Sequence, residues 1–337
     1  LEAAVLAAII KSGPEQLEAI LPLHLPKTEC SAIIEGSTVS VGSLQKAIAV
    51  SRAWILPLLQ SGVKSSNHTL EYYFTNLWPT WKTLVRCVGG VKKVYPAEGS
   101  QMDAIQLQLI ATLPSFATNA QDMDSALQKN AKQWAIGIQK STGHVRQNLC
   151  KALACLVQSA REAAAPARES DMKEENPHLI SRAVGQKTVK VAQRLSKNFL
   201  SILFDAALQP DHPSVTEACV HAASEIGLVA PEKGINSMFI ALLKKLLQIQ
   251  AMTSQDEEEI AQKKAKEQAM ADLALGLIPC LNASSLDWMM RTFIPLLKDE
   301  EAMLQKKAYR VVRAICEKKP EFFVKNSEKI LTALKDA

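Results

Sequence analysis

The chain has 337 residues, a formal net charge of +5 and a hydrophobic content of 47%. This mild positive charge does not by composition identify a nucleic-acid-binding protein. Aromatic residues make up 5% of the chain, glycine contributes only 13 residues, and alternating β-branched runs are almost absent. Few segments therefore favour β-strands, so the composition predicts an all-α fold.

The apolar segments are too short for a membrane protein. The longest of them, such as "LEAAVLAAII" at the start of the chain, fall well below the ~18 residues that a membrane span needs. No charged region followed by an apolar leader opens the chain, and its first residue is not methionine. Because both ends lie within helical patterns, we interpret the chain as a segment of a longer protein.

Three apolar runs carry an internal proline and recur along the chain. "WILPLLQSG", "LIATLPSFAT" and "FIPLLK" contain Pro57, Pro114 and Pro295. Proline lacks the backbone N–H and its ring clashes with the preceding turn, so it bends or restarts a helix. We predict that the three prolines occupy equivalent positions in the first helix of a repeated helix pair.

A second helical pattern follows these runs. In "QKKAYRVVRAICE" and the residues before it, the apolar side chains fall within an arc of about 100° and three cations fall opposite. The apolar positions are Leu304, Ala308, Val311, Val312 and Ile315, and the opposing cations are Lys306, Arg310 and Arg313. Residues 299–301 are all acidic, which favours a helix start there.

Related patterns in "HVRQNLCKALACLVQ" and "HPSVTEACVHAASEIG" show that the helix pair recurs at intervals of roughly 35 to 55 residues. Such repeats predict an α-solenoid of HEAT/ARM-like helical repeats. The composition does not shift along the chain, so we expect one continuous solenoid segment over residues 1–337. Gly, Ser, Pro and charged residues without periodicity predict loops at 27–43, 89–100 and 161–186.

Motifs of catalysis and metal binding are missing. "GQKT" at 185–188 lacks the glycine spacing and the preceding strand of a phosphate-binding loop. No nucleophile elbow, H-E-x-x-H motif or dinucleotide fingerprint is present. The seven cysteines are scattered without a C-x-x-C pair, which indicates free thiols in a reducing compartment. We therefore predict a non-enzymatic protein without a cofactor or metal site, in which Asp122 and Asp124 act as helix caps.

Positive charge is the remaining functional signal. Lysine and arginine cluster in four places, and these residues are candidate contacts for phosphates or acidic proteins: Lys92 and Lys93; Arg182, Lys187, Lys190, Arg194 and Lys197; Lys306, Lys307, Arg310 and Arg313; Lys318 and Lys319. The alternative is a solvated outer surface with local partners, such as Glu317 one turn beyond Arg313. The sequence leaves both interpretations open.

Several motifs resemble one family in the same order along the chain. "RAWILPLL", "SKNFLSILF" and "QKKAYRV" are the most specific, and "LQLIATLPSFATNAQDM" and "VRQNLCKALACLV" lie between them. Together they resemble the ribosomal RNA-processing protein 12 family of HEAT-repeat proteins, over roughly residues 51–337.

The resemblance implies a non-enzymatic scaffold of small-subunit ribosome biogenesis. Members of this family belong to 90S pre-ribosomes (the small-subunit processome) and pre-40S particles, and they support pre-18S rRNA maturation and subunit export. The implied partners are pre-ribosomal RNA and assembly factors, without a membrane or a small-molecule substrate. The implied location is the nucleolus and nucleus, with shuttling to the cytoplasm on pre-40S particles.

Other helical-repeat proteins remain as alternatives. A karyopherin-like transport receptor would use the same helix pairs, although acidic inner faces are expected there and this chain is mildly basic. A phosphatase-type scaffold or the helical region of a giant kinase would have more regular repeats or an attached catalytic domain.

Overall fold

The structure of the chain is a computed structural model. The structure describes residues 1–166, 179–209, 211–251, 256–298 and 302–335, apart from the side chains of residues 303, 304 and 333. Within these ranges the chain forms helices and no strand, so the all-α prediction is confirmed. No helix in the described part of the chain is long and apolar enough to cross a membrane.

The chain divides into two compact units. The first unit comprises residues 1–137 and 144–191, and the second comprises residues 138–143 and 192–337. The first twelve helices are α1 Glu2–Ser12, α2 Pro14–Ile20, α3 Lys27–Ile34, α4 Val41–Val50, α5 Leu56–Gly62, α6 Leu70–Tyr72, α7 Trp78–Val94, α8 Pro96–Ala111, α9 Leu113–Phe116, α10 Met123–Lys140, α11 Gly143–Ala164 and α12 Arg182–Ala207, which crosses the unit boundary after Val191. The helices that follow are α13 Pro213–Val229, α14 Glu232–Ala251, α15 Glu257–Leu277, α16 Ala283–Phe293, α17 Ala302–Lys318, α18 Pro320–Lys325 and α19 Ser327–Lys335.

The three prolines restart helices rather than bend them. Pro57 and Pro114 are the second residues of α5 and α9, and Pro295 begins a short 3₁₀ segment after α16. In the first turn of a helix the missing N–H has no intrahelical partner to lose, so proline is well tolerated there. That the three positions are equivalent within a repeat stays a prediction.

Two of the predicted loops are largely helical. Residues 27–34 form α3 and α4 begins at Val41, where the Ser40 side chain accepts a hydrogen bond from the backbone N–H of Ser43. α7 continues through residues 89–94, and α8 begins directly after Tyr95. These segments were predicted as loops because glycine and serine are poor helix formers. Packing against neighbouring helices overrides this low helix propensity here. Cys30 is fully buried where α3 packs on α7, and Val91 is buried on the same helix, α7.

The structure describes only the two ends of the third predicted loop. α11 extends to Ala164 and α12 begins at Arg182, so both ends of the predicted range 161–186 are helical. Residues 167–178 lie outside the described part of the chain.

The core of the first unit is rich in aromatic side chains. Phe116 of α9 is fully buried, with ring centroids 5.3 Å from Tyr73, 5.9 Å from His68 and 6.0 Å from Tyr72. The carboxylate of Asp122 accepts hydrogen bonds from the backbone N–H groups of Leu70 (2.6 Å) and of the residue after it (2.9 Å). Asp122 is therefore a helix cap as predicted, but it caps α6, which lies far from it in the sequence.

His68 joins two segments of this core. Its Nδ1 lies 3.0 Å from the carbonyl oxygen of Ser66 and its Nε2 lies 3.1 Å from that of Phe116. In a neutral imidazole only one nitrogen carries a hydrogen, so only one of the two contacts can then be a hydrogen bond. Burial nevertheless lowers the pKa of His68, and this outweighs the opposing effects of the two carbonyls and of Asp122 and Glu15.

The lowered pKa of His68 predicts acid sensitivity of the first unit. When the folded-state pKa lies below the ordinary value of 6.5, the unfolded chain takes up a proton first as the pH falls. The free energy of unfolding should therefore decrease below about pH 6.5 and lose its dependence on His68 above it. Urea titrations at pH 7.5 and 5.5 would measure this, with His68→Gln as the comparison. A wild-type pH dependence that persists unchanged in His68→Gln would contradict the prediction.

The second unit is built from two layers of helices. α13, α15 and α17 pack side by side in one layer, and α14 and α16 pack together in the other. Across the layers, α14 packs on α15 and α16 packs on α17. Alternating helices in two layers are the arrangement of a helical-repeat protein, in which each pair buries its apolar side against the next.

Candidate partner-binding surfaces

The apolar side of α17 is confirmed as the buried side. Ala308, Val311, Val312 and Ile315 are each at most 7% exposed. The side chain of residue 304 and the acidic residues 299–301, which completed the sequence prediction, lie outside the described residues.

The cations of α17 are mostly engaged within the fold. Lys307 is buried with 7% of its surface exposed, which leaves little of it for a partner. Nη2 of Arg310 lies 3.0 Å from Oδ1 of Asp272, close enough for an ion pair although the two groups are not aligned as a hydrogen bond. Lys306 is exposed and has no ion pair with any described residue. α17 therefore offers less free charge than its sequence suggested.

Arg313 has the local partner that the sequence suggested. Its Nε donates a hydrogen bond of 2.7 Å to Oε1 of Glu317, one turn later. This hydrogen bond lowers the pKa of the Glu317 carboxylate. Both side chains are well exposed, so the pair contributes little stability and a stronger ligand could displace it.

Of the two lysines at the end of α7, one forms an ion pair within the fold and the other is exposed. Nζ of Lys92 donates a hydrogen bond of 2.9 Å to Oδ2 of Asp103 in α8. This bond and a second one from Gln106 lower the pKa of Asp103. Lys93 is exposed and has no ion pair within the described part of the chain.

Four cations on α12 form a free positive surface. Lys187, Lys190, Arg194 and Lys197 fall within an arc of about 80° on the helix and extend over about 15 Å along its axis. All four are exposed, and none forms an ion pair with a described residue. Arg182 is half-buried and lies outside this arc. We call these four residues the α12 basic stripe.

The glycine of "GQKT" serves helix packing. A Cβ at Gly185 would lie 2.7 Å from the carbonyl oxygen of Ala160 and 2.9 Å from the backbone nitrogen of Ala164. Only glycine allows α12 to approach α11 this closely. The residue therefore has a structural role, and it lies within a helix instead of a phosphate-binding loop.

A cavity of about 960 Å³ lies in the second unit and was not predicted from the sequence. It is lined by the end of α12 and by α13, α15 and α17. Val220, Ala269 and Leu275 are among its apolar lining residues, and Asp272 and Arg310 contribute charge. The sequence could not indicate it, because helices far apart in the chain create it.

Metal coordination has no support in the described residues, where no group of three or more His, Cys, Asp and Glu side chains could hold an ion. None of the seven cysteines, all of which lie in the described ranges, forms a disulfide, and four of them are buried: Cys30, Cys87, Cys150 and Cys219.

Comparison with known proteins identifies the family. The family model described as ribosomal RNA-processing protein 12, HEAT repeats, matches residues 1–209. The chain belongs to this family. The HEAT-repeat prediction is confirmed, and the match includes the first fifty residues, which carry none of the motifs quoted above.

Relatives extend the similarity along nearly all of the chain. The human RRP12-like protein is 24% identical over 321 residues, which is 94% of this chain and 21% of that protein. The Gallus gallus RRP12-like protein is 25% identical over 319 residues, which is 93% of this chain and 21% of that protein. Ribosomal RNA-processing protein 12 of Saccharomyces cerevisiae is 24% identical over 330 residues, which is 95% of this chain and 24% of that protein.

The chain thus spans between a fifth and a quarter of the length of these curated relatives. The α12 basic stripe lies within the part that matches the ribosomal RNA-processing protein 12 family model, whereas α17 lies beyond it.

Proposed function

We propose that this chain is a non-enzymatic binding segment of a ribosome biogenesis factor for the small subunit. Its membership in the ribosomal RNA-processing protein 12 family supports a role in ribosomal RNA processing. Within 90S pre-ribosomes and pre-40S particles, it would hold pre-ribosomal RNA and assembly factors together during pre-18S maturation and subunit export. The protein would act in the nucleolus and nucleus and accompany pre-40S particles to the cytoplasm.

The α12 basic stripe carries this proposal. Its four side chains point away from the buried residues of α12 and have no ion pairs in the described structure, so the fold gains nothing evident from their charge. A row of cations about 15 Å long can face several phosphates, since a B-form duplex advances about 3.4 Å along its axis for each phosphate of a strand. We assign the stripe as the surface that meets the phosphate backbone of pre-ribosomal RNA.

The other candidate residues differ in exposure and in whether they already form ion pairs. Lys93 and Lys306 remain exposed and free for a partner, within the described structure. Lys92, Arg310 and Arg313 would have to give up their present partners, and Lys307 is buried. Phosphate contacts are therefore proposed first for Lys187, Lys190, Arg194 and Lys197.

An array of stacked helix pairs suits such a scaffold. Each pair in a solenoid contacts only its neighbours, so the array presents long surfaces and can flex as a particle matures. We propose that residues 1–337 form one continuous solenoid in the whole protein.

Removing the charge of the α12 basic stripe should weaken RNA binding and its salt dependence. The variant replaces Lys187, Lys190, Arg194 and Lys197 with glutamine. For each phosphate that is no longer neutralised, the slope of log affinity against log salt should fall by about 0.9 on duplex RNA, taking the B-form DNA value, and by about 0.7 on a single strand. Fluorescence anisotropy with labelled RNA at several salt concentrations would measure both quantities.

The control removes the same net charge elsewhere. Lys11, Lys46, Lys82 and Lys264 are exposed and scattered, and their replacement by glutamine should leave the slope nearly unchanged. If the stripe variant melts normally yet binds RNA with the wild-type affinity and salt slope, the stripe is only a solvated surface and the assignment is wrong.

A further inference from the structure

Two tryptophans of this chain are exposed, Trp54 and Trp288, and Trp288 lies on α16. Trp288 has 40% of its surface exposed, whereas Trp78, Trp81 and Trp134 are at most 8% exposed. Its neighbours Met289 and Met290 are buried, so the apolar side of α16 is already in use and Trp288 points away from it. The core does not explain an indole at this position.

Free cations lie around this indole. Arg291 follows Trp288 by three residues, and residues at that spacing lie on the same side of a helix. On the neighbouring helix α14, Lys244 and Lys245 are exposed. None of the three cations forms an ion pair with a residue that the structure describes.

Hydrogen bonds between α14 and α16 set the register of these side chains. The backbone N–H of Asn282, the N-cap of α16, donates to Oδ1 of Asn236 (3.1 Å), and its Nδ2 donates to Oε1 of Glu232 (3.1 Å). Because the two helices pack together and start side by side, they run in the same direction. The offset of 46 to 50 residues then places Arg291 level with residues 241–245.

The exposed sides of the two helices also face the same way. α15 and α17 cover the opposite side of the layer, since α14 packs on α15 and α16 packs on α17. Trp288, Arg291 and Lys244 therefore share one solvent-facing surface, which we call the α14–α16 surface, whereas Lys245 lies on the side of α14 opposite Asn236. Two carboxylates lie nearby: Glu232 accepts from Asn282, and Asp287 is exposed one turn before Arg291.

We propose that the α14–α16 surface binds single-stranded RNA, with one unpaired base stacked on the indole of Trp288. Every base has an aromatic face, and an exposed aromatic ring beside cations is how proteins bind single strands without reading sequence. Arg291 and Lys244 would hold the phosphates on either side of the stacked base. A duplex keeps its bases stacked internally, so it would gain nothing from Trp288.

This site is separate from the α12 basic stripe. It depends on the proposed function in one respect, because it requires that the protein binds RNA. The stripe would bind phosphates of paired and unpaired RNA alike, whereas the α14–α16 surface adds a preference for unpaired RNA.

The test measures the affinity of the 337-residue chain for a labelled 12-nucleotide oligouridine and for a 12-base-pair RNA duplex. Trp288→Ala should weaken oligouridine binding by about 5- to 150-fold, the effect of removing one stacked base. Duplex affinity and the salt slope should stay unchanged in this variant. Trp288→Phe should retain most of the affinity because the ring is kept, and Trp54→Ala, which removes another exposed indole, should have no effect.

A spectroscopic measurement gives an independent result. In a Trp54→Phe background, Trp288 is the exposed tryptophan and the three others are buried. Oligouridine should then quench the fluorescence of Trp288, and the duplex should not. Arg291→Gln should lower the salt slope for oligouridine by about 0.7.

The outcomes separate the two RNA assignments. Unchanged oligouridine binding in Trp288→Ala, without quenching, would overturn the stacking site even if the stripe variant loses RNA binding. Loss of oligouridine binding in Trp288→Ala alone would support the stacking site and count against the stripe. If Trp288→Ala impairs binding of an acidic peptide such as oligoglutamate but leaves oligouridine unaffected, the surface serves a protein partner and the RNA proposal is wrong.

Discussion

Replacing Phe116 with alanine is expected to destabilise the first unit by about 3–5 kcal/mol. The ring is fully buried and lies against Tyr73, His68 and Tyr72. Its loss removes buried apolar area and leaves a cavity, because the surrounding packed side chains can only partly close the space. Urea denaturation followed by near-ultraviolet circular dichroism would report this unit, since its core holds these aromatic rings.

Two variants calibrate the result for Phe116. Phe116→Leu keeps most of the volume and should cost considerably less than the alanine variant. Val94→Ala also shortens an apolar side chain in this unit, but Val94 is 66% exposed and its truncation should fall within about 0.5 kcal/mol of the wild type. A loss below about 1 kcal/mol for Phe116→Ala would show that the ring is not central to this core.

Gly99→Ala should lower the stability of the first unit by about 1–3 kcal/mol, although alanine is the better helix former. A Cβ at Gly99 would lie 2.5 Å from Cα and 2.7 Å from the backbone nitrogen of Lys92. Backbone atoms cannot rotate away as a side chain can, so α7 and α8 would have to separate. The same movement would disturb the ion pair between Lys92 and Asp103.

Gly89→Ala in the same helix pair is the matched control. An added Cβ there would meet no atom of the described residues within 4 Å, other than those of its own helix. This variant should stabilise the unit by up to about 1 kcal/mol, because glycine costs that much within a helix. Thermal melts of both variants would show opposite shifts, and a stabilised Gly99→Ala would contradict the close approach of α7 and α8.

The sequence by itself determined the features that depend on neighbours within a helical turn or two. That a helix bends or restarts at Pro57, Pro114 and Pro295 follows from the geometry of proline. The buried side of α17 and the pair of Arg313 with Glu317 follow from helical spacing, which brings residues three or four apart together. The motifs that carried the family resemblance are also contiguous in the sequence.

Only the tertiary structure decided which charged groups remain free. Arg310 is paired with Asp272 of α15, Lys92 with Asp103 of α8, and Lys307 is buried, none of which a local pattern indicates. Packing likewise made residues 27–34 helical, because Cys30 is buried against α7. These contacts join residues from different helices, and the side chains that meet there depend on how the helices are packed. For this physical reason the α12 basic stripe became the leading surface only when the ion pairs of the other clusters were known.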